Sequence, residues 1–261
     1  MRLALAQTDI IWEDKKANML TAEKMTAEAS EKGCDIIIFP EVALTGFTMN
    51  LEKMAEPADD SESIRFFSNL ASEYKIYITF GAALIESDGK VRNRAITIDD
   101  NGKVISSYAK IHPFSYGVEA AYFTGGDSVE WFDIKGVTAS TFICYDTRFP
   151  EIFQAASKES RLIIVIASWP NVRTRYFDMF LPTRAIECQS FIAGVNRVGK
   201  EMKFDYIGHS QVVNPTGDVL TEISEEEKLI ICDIDISEVD KTRSFYHLKQ
   251  DRRPDVYKKY L

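Results

Sequence analysis

Three strand-like runs in this sequence end on side chains that can move protons or attack carbon. Ile36-Ile37-Ile38-Phe39-Pro40 ends on Glu41, the run from Ile105 to Ala109 ends on Lys110, and Thr141-Phe142-Ile143 ends on Cys144. If the runs are strands of an α/β sheet, all three side chains lie beyond carboxyl ends, where ligand sites gather. A thiol, a carboxylate and an ammonium that converge there can perform nucleophilic chemistry: the thiol attacks, the carboxylate takes its proton, and the cation favours the anionic form. Taken singly, each signal is weak, because free cysteine is among the most buried residue types and a strand-terminal Glu or Lys is usually solvated.

Setting separates Cys144 from the other thiols. It opens the polar stretch Tyr145-Asp146-Thr147-Arg148 before Phe149-Pro150, a turn into a helix, whereas Cys34 precedes a strand, Cys188 sits inside a helical stretch and Cys232 lies within a strand. A thiol beside a helix N-terminus and a lysine has its thiolate favoured. With a reference pKa near 8.5 an unperturbed thiol is only about 3% ionised at neutral pH, so a base is needed. Glu41, wrapped by Phe39, Pro40, Val42 and Leu44, is expected to be partly desolvated, which suits a proton acceptor, while Lys110 pulls in the opposite sense. His112, two positions after Lys110, is the rival base, although no histidine lies in a recognisable cysteine-protease context.

The elements that must position these residues can be read from periodicity. Met19, Ala22, Met25 and Ala29 form one helical stripe over residues 14–33, capped by Asp14 and ended by Gly33. A strand follows at 35–39, a second helix presents Ile64, Phe67, Leu70 and Tyr74, and a strand spans 76–84. Residues 92–98 and 104–110 flank the hairpin turn Asp100-Asn101-Gly102, and 129–134 and 137–144 flank Lys135-Gly136. A helix near 149–158, a strand at 161–167, a helix at 174–189, and strands at 190–196, 208–214 and 228–235 complete the pattern. So many strands would overfill one open sheet, and two packed sheets covered by helices fit better. No linker or low-complexity segment marks a boundary, so residues 1–261 read as a single domain.

Composition narrows the partners. With 45% hydrophobic residues the chain can bury a substantial core, and a formal charge of -9 with a pI near 5.0 argues against nucleic acid or an anionic membrane surface. The N-terminal MRLALAQTDII reads as a first strand rather than a signal peptide, and no apolar run is long enough to span a bilayer. Four scattered cysteines without a CxxC pair, and three dispersed histidines, imply neither a disulfide framework nor a metal site. A cytoplasmic setting with reduced thiols is expected.

The motifs, taken together, resemble a known family. Phe39-Pro40-Glu41, Tyr108-Ala109-Lys110-Ile111-His112 and Cys144-Tyr145-Asp146-Thr147-Arg148-Phe149-Pro150-Glu151 are similar, in order and separation, to the Glu, Lys and Cys motifs of the nitrilase-like carbon-nitrogen hydrolases. Leu5-Ala6-Gln7, Gly125-Gly126-Asp127, Ala185-Ile186-Glu187, Val195-Asn196-Arg197, Gly208 to Gly217 and Asp251-Arg252-Arg253-Pro254 extend the resemblance nearly end to end. It implies a four-layer αββα sandwich, with mixed sheets inside and helices outside. It also implies Cys144 as nucleophile, Glu41 as base, Lys110 as the oxyanion's cation and Glu119 as a second glutamate. Without that resemblance Glu119 reads as an exposed loop residue.

Tyr145, where nitrile-cleaving members usually carry Trp, points to an amide rather than a nitrile. The Cys144-to-Glu151 motif looks like the ω-amidase branch, which cleaves the terminal amide of small α-keto acid amides without metal or organic cofactor. A branch acting on deaminated glutathione shares the motif, N-carbamoyl amidohydrolases belong to the same family, and a catalytically silent binding protein is the reading from another class. Arg173 is the expected cation for a substrate carboxylate, with Arg148 as rival and Tyr145 and Trp169 as walls. Members of this fold commonly pair through a helical layer, so a homodimer or higher homo-oligomer is expected, with Phe177, Phe180 and Leu181 suited to the contact.

Overall fold

The strand period of two sorts the first strand, Arg2–Gln7, between two cores. Leu3 and Leu5 join Ile36 and Ile38 in one buried cluster, whereas Ala4 and Ala6 join Ile37 and Phe39 in another. A sheet buried on both faces reads as a nearly continuous apolar run, which is why Ile36–Ile38 shows no alternation. The computed structural model describes residues 1–201 and 204–260.

Among the described residues a seven-stranded sheet runs in the order Lys228–Asp233, Arg2–Gln7, Ile36–Ile38, Tyr77–Ile85, Val91–Ile98, Val104–Ala109, with Glu56–Pro57 paired to Tyr77–Ile85 outside that path. Arg2–Gln7, Ile36–Ile38 and Tyr77–Ile85 are parallel neighbours, and the other pairs on the path are antiparallel. A five-stranded sheet runs Gln211–Val213, Phe191–Asn196, Leu162–Ala167, Val137–Ile143, Phe132–Ile134, with its three central strands parallel. Both sheets are therefore mixed.

Four layers follow from which faces are covered. Leu3, Leu5, Ile36, Ile38, Ala95 and Tyr108 of the larger sheet share one core with Phe142, Ile164 and Ile166 of the smaller, and that core continues to Phe177, Leu181, Ala185 and Cys188 on the helix Thr174–Cys188. On the other side, the helices Lys15–Glu31 and Glu62–Tyr74 lay Ala22, Met25, Phe67 and Leu70 over Ile37, Phe39, Ile78 and Phe80, with the Phe67 and Phe80 rings stacked at 4.1 Å. Asp14 caps the first helix by accepting from the Ala17 N–H at 3.0 Å, and Ser61 caps the second through the Ile64 N–H at 3.1 Å.

Several expectations change in detail. The stretches read as strands at 129–134 and 208–214 form only Phe132–Ile134 and Gln211–Val213; the latter pairs with Phe191–Asn196, and Lys228–Asp233 lies in the other sheet. The antiparallel pair Val198–Glu201 and Phe204–Ile207 and the helix Ser237–Phe245 were not anticipated. Phe177 and Leu181 do not form an outer contact face, because both are fully buried against the smaller sheet, and Phe180 is half-buried beside Arg148. The outward residues of that helix are Tyr176, Met179 and Ile186. No described helix is long and apolar enough to cross a membrane.

Candidate active site

Glu41, Lys110 and Cys144 each follow the last residues of a strand, and the facing of the two sheets brings those strand ends together. Lys110 continues the Val104–Ala109 strand: its N–H donates to the Asn93 carbonyl at 2.9 Å, and its carbonyl accepts from the Gly126 N–H at 2.8 Å. Gly126 is required there, since a Cβ would sit 2.4 Å from the Ala109 carbonyl oxygen. The turn that carries Glu41 lies directly on the neighbouring strand at Gly81, where a Cβ would fall 2.5 Å from the Val42 nitrogen and 2.8 Å from the Glu41 Cα. Cys144 starts the short 3-10 turn Cys144–Arg148, and Pro150 at the first position of Pro150–Ala156 begins the next helix.

Two backbone conformations here are strained. Cys144 has φ +46° and Val42 has φ +46°, left-handed values that cost a non-glycine residue about 1–3 kcal/mol and persist where surroundings over-determine them. The surroundings at Cys144 are specific. Asp146, fully buried, accepts from Tyr108 Oη at 2.8 Å, the Ile143 N–H at 3.2 Å and the His112 N–H at 3.0 Å, and pairs with His112 Nδ1 at 2.8 Å. His112 is also stacked on Phe149 at 3.7 Å and does not line the cavity at Cys144. The histidine considered as a rival base is thus part of the scaffold of the turn.

The charged groups form one buried network. Lys110 Nζ lies 2.9 Å from Glu41 Oε1 and 2.9 Å from each oxygen of Glu119. Glu119, which without the family resemblance reads as an exposed loop residue, is fully buried and also accepts from the Phe114 N–H at 2.6 Å. Glu41 Oε1 further accepts from Asn93 Nδ2 at 2.7 Å, and its Oε2 accepts from the Ser168 N–H at 2.9 Å. Parallel pairing of Val137–Ile143 with Leu162–Ala167 places Ser168 beside Cys144, so this one N–H faces both the carboxylate and the sulfur.

Burial acts to lower the Lys110 pKa, but the charges of Glu41 and Glu119 outweigh it and hold the ammonium above its ordinary range. Burial, aided by the charge of Glu41, pushes the Cys144 thiol well above its usual value despite Lys110. The resting site therefore holds a neutral thiol, a charged lysine and a base. Oε1 of Glu41 has both lone pairs occupied by Lys110 and Asn93, whereas Oε2 has one donor and room for a proton.

A cavity of about 600 Å³ opens over this network. Glu41, Lys110, Glu119, Cys144, Tyr145, Trp169 and Arg173 all line it, so every site residue expected from the sequence is brought to one place. Arg148 lines it as well. Its guanidinium stands 5.1–5.9 Å from the ring centres of Tyr145, Trp169, Tyr176 and Phe180, and Arg173 lies 5.1 Å from that of Phe114. The opposite polarity is supplied by Glu13, which accepts from Thr48 Oγ1 and Asn50 Nδ2, and by Glu201, which is paired with the buried Arg197 and accepts from the Phe47 N–H at 3.1 Å. Asn93, Glu13 and Glu201 carry no motif in the sequence that marks them for the site, whereas Phe47 and Ser168 lie in Gly46-Phe47-Thr48-Met49 and Ala167-Ser168-Trp169-Pro170, stretches that also resemble the ω-amidase branch. Asn93 had a usable signal: it is polar on the inward face it shares with Ala95. Among the described residues no group of three or more His, Cys, Asp or Glu could hold a metal ion.

The profile of the family described as carbon-nitrogen hydrolase matches residues 2–244. The chain is 35% identical over 232 residues to a protein named hydrolase in agr operon from Staphylococcus lugdunensis, covering 87% of this chain and 98% of that one. It is 30% identical over 257 residues to the 2-oxoglutaramate amidase of Bacillus subtilis, covering 98% of each. Among solved structures it is similar, at a TM-score of 0.87, 25% identity and full coverage of both chains, to a glutamate-to-glutamine variant of the amidase from Nesterenkonia sp. AN1 with acrylamide added at the active-site cysteine.

Proposed function

The chain belongs to the carbon-nitrogen hydrolase family, and from that premise we propose that it is a cysteine-dependent amidohydrolase that releases ammonia from the terminal amide of a small carboxylic acid amide of the α-keto acid type. The observation that carries this reading is the contact of Lys110 Nζ with both Glu41 and Glu119 beside a neutral thiol in one cavity.

In the proposed reaction Cys144 Sγ attacks the amide carbon while its proton passes to Glu41 Oε2, and the carbonyl electron pair moves onto oxygen. Lys110 faces that oxyanion together with the N–H of Tyr145, which stands in the first turn of its helix and so has no intrahelical acceptor. When the C–N bond breaks, the nitrogen takes the proton held by Glu41 and leaves as ammonia. Water then attacks the thioester, Glu41 accepts its proton, and the thiolate departs and is reprotonated. Glu119 holds Lys110 in place and charged throughout.

Arg148 and Arg173 are the cations proposed for the substrate carboxylate, and Tyr145 and Trp169 the walls that orient its chain. The resemblance to the B. subtilis 2-oxoglutaramate amidase supports 2-oxoglutaramate as the first substrate to test. The size of the cavity, with Glu13, Thr48 and Asn50 on its wall, favours a longer amide such as deaminated glutathione as the second. Tyr176, Met179 and Ile186 support pairing of two copies through the helical layer. Residues 1–261 act in this reading as one domain in the cytoplasm.

Ammonia release from 2-oxoglutaramate, 2-oxosuccinamate, deaminated glutathione, glutamine, an N-carbamoyl amino acid and a nitrile tests the proposal. Turnover of a keto acid amide that disappears in Cys144→Ala supports it, and turnover of the nitrile alone refutes it.

A further inference from the structure

Asn93 stands where the two carboxylates of the site meet. It is 1% exposed, on the strand Val91–Ile98, and its Nδ2 donates to Glu41 Oε1 at 2.7 Å and to Glu119 Oε1 at 3.2 Å. Lys110 Nζ contacts the same two oxygens. Ionised carboxylate oxygens only accept, so the amide nitrogen, not its oxygen, must face them. The carbonyl Oδ1 is left buried without a partner. An orphaned buried acceptor is costly, and it persists here because turning the amide over would set that oxygen against two carboxylates and orphan the nitrogen as well.

We infer that Asn93 is a positioning residue for the reaction: by bridging the lysine-facing oxygens of Glu41 and Glu119 it leaves Glu41 Oε2 as the one oxygen that can take the Cys144 proton and shares the load that otherwise falls on Lys110. Without the bridge, the Glu41 carboxylate is held only by Lys110 at Oε1 and the Ser168 N–H at Oε2, and the ammonium is drawn toward Glu41 and away from the developing oxyanion. The backbone reinforces the arrangement, because the Asn93 carbonyl accepts the Lys110 N–H, so the two side chains start from paired positions on adjacent strands. The inference rests on the proposed roles of Cys144 and Glu41.

Alkylation of Cys144 by iodoacetamide across pH tests it without requiring the natural substrate. The charged or titratable groups around Glu41 are Lys110, Glu119, Cys144, Glu201 and Tyr206, and none of them is replaced in Asn93→Leu, a variant of similar volume without polar atoms. Loss of a donor to the ionised base favours its protonated form, so the acid limb of the Asn93→Leu profile moves to higher pH, and the plateau rate falls by about tenfold. Asn93→Ser, which keeps one donor, falls between Asn93→Leu and the wild type, and serves alone if the leucine variant does not fold by circular dichroism. Glu41→Gln is the control. If it abolishes the acid limb while folded Asn93→Leu and Asn93→Ser both keep the wild-type profile, the role of Asn93 is refuted and that of Glu41 stands. If Glu41→Gln also keeps the wild-type profile, the underlying reading fails and the inference falls with it.

Discussion

Glu119→Gln is the most informative single change outside the three residues at the strand ends, because all of Glu119's hydrogen-bond partners are donors. Lys110 Nζ meets both of its oxygens at 2.9 Å, the Phe114 N–H meets Oε2 at 2.6 Å, and Asn93 Nδ2 meets Oε1 at 3.2 Å. Glutamine has the same shape but must present its NH2 group to one side or the other, and either choice sets donor against donor. A hydrogen bond to a charged group contributes about 1.5–3 kcal/mol. At about 1.4 kcal/mol per decade of rate, losing one such bond from the arrangement that holds Lys110 slows acylation by about ten- to hundredfold. Lys110 also loses one of the two charges that offset its burial, and leans more on Glu41. The assay is kcat/KM for ammonia release from the best amide of the panel, measured beside the Cys144 alkylation rate and the melting temperature. A variant that melts lower but keeps kcat/KM within about threefold of wild type would refute the reasoning, since Glu119 would then hold the fold and not the lysine.

Other perturbations test separate links. Gly81→Ala pushes a Cβ against the backbone at Glu41 and Val42, so activity is expected to fall by more than about tenfold, and an unchanged kcat would show that the turn can shift without cost. Arg148→Met and Arg173→Met are each expected to raise KM for a carboxylate-bearing amide while leaving KM for its uncharged analogue unchanged; equal effects on both substrates would remove these residues from carboxylate recognition. Lys249, which donates to the Ser157 carbonyl and hydroxyl at 2.7 Å, is held down at about 8 by burial and by the charge of Arg243. A lysine whose folded value is depressed destabilises the fold at pH below that value, and the penalty fades as pH rises toward the unfolded value of 10.5. The melting temperature of wild type relative to Lys249→Met is therefore expected to rise between pH 7 and pH 10, and a flat difference would contradict the burial argument.

Much of the scaffold was legible without coordinates, because the signals that define it are local. The stripe of Ala22, Met25 and Ala29, the caps at Asp14 and Gly33 and the turn at Asp100 to Gly102 are set by neighbours within a few residues, and the helices and strands formed there. The antiparallel pair at Val198–Glu201 and Phe204–Ile207 escaped because its sides mix exposed and buried residues without a clean alternation. The outward face of Thr174–Cys188 was misassigned for a related reason: aromatic residues stand on both sides of that helix, Tyr176 outward and Phe177 inward, and only the packed sheet distinguishes them.

At the site the division is sharper. The types and order of Glu41, Lys110 and Cys144, each shortly after a strand, are properties of the chain itself, because the residues that form each of those strands are close neighbours in sequence. What each side chain touches is not. The Lys110–Glu41 contact closes 69 residues of chain and the Ser168–Glu41 contact 127, and such pairings depend on how two sheets face each other, not on any local pattern. That facing turned His112 into an anchor for Asp146, buried Glu119 on Lys110, brought Arg148 to the cavity and made Asn93 a bridge between two carboxylates. The order of residue types along the chain sets which groups the site can contain; long-range packing sets which Glu41 oxygen keeps a single donor, because it alone assigns hydrogen-bond partners to buried charges.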